Sequence, residues 1–109
     1  MATIYKGTGW GRSCVGECEN GTIYSGTGWF RHAVGEYNDG TIYKGTGWNR
    51  TAVGEYGSGS VYSRSGSSVG TYENGTVYER GGFFGGNAIG EYDGDSAAAA
   101  ALLLLEDEL

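Results

Sequence analysis

Thr3-Ile4-Tyr5-Lys6-Gly7-Thr8-Gly9-Trp10 returns as Thr22 to Trp29 and again as Thr41 to Trp48. Behind each copy stands a second block: Val15-Gly16-Glu17-Cys18, Val34-Gly35-Glu36-Tyr37 and Val53-Gly54-Glu55-Tyr56. Two weaker copies follow, Ser60-Val61-Tyr62 with Val69-Gly70-Thr71-Tyr72 and Thr76-Val77-Tyr78 with Ile89-Gly90-Glu91-Tyr92. Counted from the residue before each first block, the copies start at 2, 21, 40, 59 and 75, a period of 19 residues three times and then 16. A fixed period of this length marks a tandem array of one supersecondary unit.

Each unit reads as a β-hairpin. The blocks are short, rich in Ile, Val, Thr, Tyr and Trp, and bounded by turn residues. Glu19-Asn20-Gly21, Asn38-Asp39-Gly40 and Glu73-Asn74-Gly75 separate the units and end in the glycine that a positive φ favours. No stretch before residue 95 has an apolar stripe at helical spacing. The chain is therefore expected to be all-β: an antiparallel meander of five hairpins over residues 1–94, curled or closed on itself, since a flat sheet of ten strands is disfavoured.

An odd period must be absorbed somewhere, because side chains alternate with period two. Three-residue loops with a glycine bulge at Asn20-Gly21 and its relatives would do so, with two-residue turns at Gly11-Arg12, Phe30-Arg31 and Asn49-Arg50. That register sets Tyr5 opposite Cys18, Tyr24 opposite Tyr37 and Tyr43 opposite Tyr56. One face then carries Ile4, Lys6, Thr8, Trp10, Val15 and Glu17, with Lys6 across from Glu17 and Lys44 across from Glu55. The other face, uncharged and built of Tyr, Gly, Ala and Cys, is the expected interior.

Residues 95–109 change character. Asp95-Ser96 is an acceptable helix N-cap and Ala97 to Leu105 is strongly helix-forming. Leu102, Leu103, Leu104 and Leu105 are too apolar to stay wet, so they are expected to dock on the sheet, cap its open end or meet another subunit. Glu106, Asp107 and Glu108 sit at the unfavourable end of the helix dipole and are expected to fray.

Length and composition bound the rest. The 109 residues, 23 of them glycine and none proline, suit one small domain. Net charge is -6, which argues against a nucleic-acid partner. No apolar span suggests a transmembrane segment, and no charged-then-apolar leader suggests export, so a cytoplasmic protein is expected. The four-residue spacing of Cys14 and Cys18 sets them ~13 Å apart along one strand, too far for a disulfide. Both are expected as reduced, buried thiols.

Asp39-Gly40-Thr41-Ile42-Tyr43-Lys44-Gly45, with Gly47-Trp48 and Gly54-Glu55-Tyr56, resembles the MORN repeat. The likeness runs through residues 2 to 94, with a shorter spacing than a typical MORN unit and without its basic turn. Glycine, tyrosine and tryptophan at this period are also similar to choline-binding repeats, whose paired aromatics are absent. The first resemblance implies association with proteins or lipid headgroups, the second capture of a ligand between aromatic rings.

The most suggestive motif is Trp-x-Arg: Trp10-Gly11-Arg12, Trp29-Phe30-Arg31 and Trp48-Asn49-Arg50. Successive copies lie two strands apart, about 10 Å, so three tryptophans and three arginines would line one rim. Indole faces take sugars or cations, and guanidinium forks take anions. The plainer alternative has tryptophan closing each hairpin by packing and arginine solvated in the turn. Gly66-Ser67 and Phe84-Gly85 stand at the corresponding places in the last two units, which confines any rim site to the first three. The tyrosine ladder is expected to be core.

His32, the single histidine, matches Ser13 and Thr51 beside a turn, with no acid to orient it and no nucleophile beside it. Glu17, Glu36, Glu55 and Glu91 recur as a set, which points to a repeated structural task. The glycine strings lack the lysine and the strand-to-helix setting of a phosphate loop. No catalytic residue, metal site or cofactor is expected. The expected function is non-enzymatic: a curved β surface for association with a protein partner or a second copy. The alternative is capture of a glycan or small anionic ligand by Trp10, Arg12, Trp29, Arg31, Trp48 and Arg50.

Overall fold

The computed structural model describes residues 2–80 and 86–109, so the Phe84-Gly85 turn lies outside the described residues. Ten strands follow the hairpin pattern: β1 (Ala2–Lys6), β2 (Ser13–Glu19), β3 (Thr22–Ser25), β4 (His32–Asn38), β5 (Thr41–Lys44), β6 (Thr51–Gly57), β7 (Ser60–Ser63), β8 (Ser68–Glu73), β9 (Thr76–Glu79) and β10 (Asn87–Asp93). Each pairs antiparallel with its neighbours in sequence, and β10 pairs with β1. The meander closes into a barrel, which leaves no free edge strand among the described residues.

The odd period is absorbed at a different place from the one expected. Asn20 (φ 52°) and Gly21 (φ 84°) form a two-residue turn between the paired residues Glu19 and Thr22, the geometry of a type I′ hairpin. The extra residue lies inside the hairpin: Ile4 pairs with Gly16 but Tyr5 pairs with Cys14, so Val15 is a bulge. Val34, Val53, Val69 and Ile89 are bulged in the same way. The turns near Arg12, Arg31 and Arg50 are six-residue loops between paired strand ends, such as Lys6 and Ser13, rather than two-residue turns. Tyr5, Tyr24 and Tyr43 therefore stand opposite Cys14, Ala33 and Ala52, not opposite Cys18, Tyr37 and Tyr56.

That shift reverses the expected facing of the first strand of each hairpin, while Gly16, Cys18, Tyr37 and Tyr56 of the return strands stay on the inner side as expected. Ile4, Ile23, Ile42, Val61 and Val77 point inward and are fully buried, with Cys18 in the same core. The nine tyrosines divide between the two sides. Tyr37, Tyr56, Tyr72 and Tyr92 pack against the core, Tyr72 edge-on to Tyr92 with ring centroids 5.9 Å apart. Tyr5, Tyr24, Tyr43, Tyr62 and Tyr78 alternate to the outer wall with the glutamates. Cys14 is exposed and only Cys18 is buried, because the bulge after Cys14 turns it outward.

A ten-stranded barrel is too wide for its own side chains to fill. The gap is taken by α1 (Ala97–Leu104), which is threaded through the lumen. Ala97 to Ala101 are 0% exposed, Leu102 1% and Leu105 2%. Asp95, rather than Ser96, caps the helix: its Oδ1 accepts the Ala97 N–H at 2.9 Å. The helix starts at the end of the barrel where Cys18, Tyr37 and Tyr56 lie. Burial, with a smaller contribution from Asp95, pushes the Cys18 thiol and the Tyr56 phenol up to about 12.

Size matching seats the other end. One glycine from each hairpin faces the leucines of the tail. A Cβ at Gly54 would lie 2.7 Å from Leu104, at Gly70 2.7 Å from Leu103, and at Gly35 2.8 Å from Leu105. Leu102 meets Gly90 and Leu109 meets Gly16 in the same manner. Consecutive helical residues point ~100° apart, so four leucines in a row form a collar rather than a stripe. Leu102 to Leu105 therefore point to the barrel wall on all sides, so of the expected places it is docking on the sheet that the structure shows. Lys6 and Lys44 reach the mouth of the lumen and pair with Glu106 (3.6 Å) and Glu108 (3.0 Å), not with Glu17 and Glu55. The acidic end, expected to fray, forms a 3-10 turn under those lysines. Among the described residues no helix is long and apolar enough to cross a membrane.

Candidate functional site

The three Gly-Trp-x-Arg loops leave the barrel at one end. Gly9 (φ 63°) opens a 3-10 turn, Gly9–Gly11, that sets Trp10 at its tip. Gly28–Phe30 and Gly47–Asn49 repeat it for Trp29 and Trp48. A positive φ at the turn's first residue tips the chain outward, and glycine takes it without strain. Trp10, Trp29 and Trp48 are 106%, 99% and 103% exposed, and Phe30 is 93% exposed. The tryptophans therefore do not close their hairpins by packing.

The arginines turn the other way, back along the outer wall. In each case the guanidinium lies over the tyrosine ring of its own hairpin: Arg12 over Tyr5 at 3.8 Å, Arg31 over Tyr24 at 3.9 Å, Arg50 over Tyr43 at 4.0 Å. Each also pairs with the glutamate opposite that ring on the adjoining hairpin. Arg50 Nη1 donates to Glu36 Oε1 at 2.7 Å, Arg31 Nη1 to Glu17 Oε1 at 2.8 Å, and Arg12 Nη1 to Glu91. Arg31 Nη2 also reaches Glu19 Oε1 at 2.8 Å. The second oxygen of Glu36 and of Glu91 accepts the backbone N–H of Gly47 and Gly9, each at 3.0 Å, which holds the 3-10 turn in place.

The electrostatics follow from these contacts. The Gly47 N–H and then Arg50 hold the Glu36 carboxyl below its usual value, and the Gly9 N–H and then Arg12 do the same for Glu91. Arg31 lowers Glu19, while Glu19 and Glu17 raise Arg31. A planar guanidinium suits this place because it stacks on one group and forks toward another at once. Each of the three arginines is thus tied to the wall by a ring and a carboxylate, Arg31 through both Nη atoms and the more exposed Arg12 and Arg50 through Nη1. The recurrence of the glutamates was legible as a structural task, but their partners were not. Arginine and glutamate belong to different hairpins, and only closure of the ring brings Arg12 to Glu91.

His32 is exposed beside its loop, and among the described residues no three His, Cys, Asp or Glu side chains converge. Comparison with protein-family models, with curated proteins and with solved structures finds no match.

Proposed function

We propose that the chain is a non-enzymatic binding module that associates with a protein partner through the aromatic-tipped end of its barrel. One observation carries this reading: three tryptophans and a phenylalanine stand almost wholly in water on adjacent loops of one end. Large aromatics left uncovered in a group mark a contact surface, and tryptophan is among the residues that dominate such contacts. The filled lumen and the engaged arginines turn attention to the indoles. Protein association is also what the MORN-type resemblance implies. A second reading, glycan capture, draws support from the separation of the indoles, with neighbouring loops two strands or about 10 Å apart.

The experiment uses Trp10→Ala, Trp29→Ala and Trp48→Ala. Since the indoles touch little of the fold, each variant should keep its stability within ~0.5 kcal/mol of the parent. Tryptophan emission should shift to the blue as the parent binds a protein partner, and each variant should bind it more weakly. Emission that shifts with oligosaccharides alone would favour the glycan reading. Binding of every partner unaffected by all three substitutions would end both.

A further inference from the structure

The Arg-Tyr-Glu arrangement is complete at three hairpin junctions and open at a fourth. Its base is a cross-strand pair, Tyr5 with Glu91, Tyr24 with Glu17 and Tyr43 with Glu36. Tyr62 and Glu55 form the same pair between β7 and β6. The loop after β7 is three residues shorter than the loop after β5, however: Tyr62 pairs with Ser68, whereas Tyr43 pairs with Ala52. What the short loop omits is the Gly-Trp-x-Arg segment, so among the described residues no guanidinium stacks on Tyr62, although the loop's own Arg64 lines a small cavity of about 140 Å³ with Glu55.

The consequences are visible at that junction. Tyr62 is 39% exposed, more than the three stacked tyrosines, and Glu55 is exposed where Glu17, Glu36 and Glu91 are half-buried. Among the described residues no cation lies within ion-pairing distance of Glu55. A cavity of about 400 Å³ lined by Asp39, Glu55, Ser58 and Tyr62 among others lies beside the pair. One of about 590 Å³ also lies beside the junction completed by Arg12 and Glu91, so it is the uncovered ring and carboxylate, not the hollow, that set this place apart. Arg64 stands where the other hairpins have Gly7, Gly26 and Gly45, its backbone N–H donating to Val53 O at 3.1 Å, and it forms no ion pair with Glu55. At the next junction the pair is Thr71 with Tyr78, which lacks the carboxylate.

We infer that Glu55 and Tyr62 form a receptor site for an arginine side chain carried on an extended segment of a partner protein. The chain itself shows how such a ligand is held: three times with the guanidinium on the ring at 3.8–4.0 Å and Nη on one carboxylate oxygen, and in two of the three with a backbone N–H on the other oxygen. The internal arginines sit on extended backbone (Arg50 φ −73°, ψ 147°). A peptide supplies the side chain and the backbone donor together, and free arginine supplies only the first. Lysine is a point charge without a planar face, so it fits the ring and the carboxylate less well. Asp39 adds a second negative charge to the cavity and favours a cationic occupant. The inference does not rest on the aromatic end of the barrel.

The test is a titration of the full-length, isotopically labelled chain with a blocked peptide of the sequence of residues 46–52. The same sequence with lysine for arginine, and arginine amide alone, serve as comparisons. Saturable shifts centred on Glu55 and Tyr62 are expected, with affinity about tenfold lower for the lysine peptide and for the free amide. Glu55→Gln and Tyr62→Ala should each weaken the peptide by a similar factor. Both residues are exposed, so unchanged signals elsewhere will show that the variants fold. Replacing residues 63–67 by the sequence of residues 44–51 should close the site from within and abolish peptide binding. Trp29→Ala should leave it intact, which separates this site from the aromatic end. No saturable binding, binding indifferent to Glu55→Gln, or equal affinity for the lysine peptide would overturn the inference. So would equal affinity for arginine amide, or binding seen only after Arg64→Ala.

Discussion

At the scale of the residue, chemistry depends on which wall of the barrel a side chain joins. Tyr43 and Tyr56 share a strand pair, yet the first lies outside under Arg50 while the second packs inside and has its ionisation suppressed by burial. The carboxylates give the clearest pH dependence. Glu19, Glu36 and Glu91 are held below their ordinary values, so the folded chain binds their protons less readily than the unfolded chain. That stabilisation is present above about pH 4.5 and is lost as pH falls through the folded values. Tm is expected to drop on acidification below that point, and Glu36→Gln should flatten the drop in a calorimetric pH series. Cys18 shifts in the opposite sense. Cys18, pushed up to about 12, should resist iodoacetamide in the folded chain at pH 8 while exposed Cys14 is alkylated. Mass spectrometry of the digested product reads the difference, and equal labelling would contradict the buried core.

At the scale of the element, the bulge and the collar matter most. Val53 is the extra residue that keeps Gly54 and Tyr56 on the inner side. Gly54 then makes room for Leu104, since a Cβ there would press on Leu104 and on the Tyr62 carbonyl oxygen. Gly54→Ala should cost ~1–3 kcal/mol in chemical denaturation through overpacking. Combining it with Leu104→Ala should cost less than the two single changes summed, because the truncation removes the methyls the new Cβ presses on and the Cβ fills part of the void left behind. Leu102→Ala, at a site 1% exposed, should cost ~2–5 kcal/mol. Strand identities and hairpin boundaries were legible from the blocks and their turn residues. The place of the bulge was not: Asn20-Gly21 serves a two-residue I′ turn as readily as a longer bulged loop. Only the requirement that Gly16, Cys18 and Ile4 share one interior selects between them.

At the scale of the molecule, closure and filling depend on one another. The barrel contributes five glycines and a set of inward tyrosines, and the tail contributes alanines at the tyrosine end and leucines at the glycine level. Cutting the chain after Gly94 would empty the lumen and expose Ile4, Ile23, Ile42, Val61 and Val77. Such a chain should lose cooperative thermal unfolding and bind a hydrophobic dye, as seen by near-ultraviolet dichroism and fluorescence. A sharp, parent-like melt of residues 1–94 would show that the helix is dispensable.

The sequence alone determined the hairpin periodicity, the strand content, the C-terminal helix and the presence of three Trp-x-Arg loops. These are short-range matters: alternation, turn chemistry and helix propensity act over a few residues and are written in them. Tertiary structure decided which face is the inside, where the odd residue is absorbed, what covers the leucines, and which glutamate each arginine meets. Tyrosine suits either wall, and a leucine run suits any apolar surface. Those outcomes follow only once ten strands close into a ring of fixed width and Arg12 comes round to Glu91.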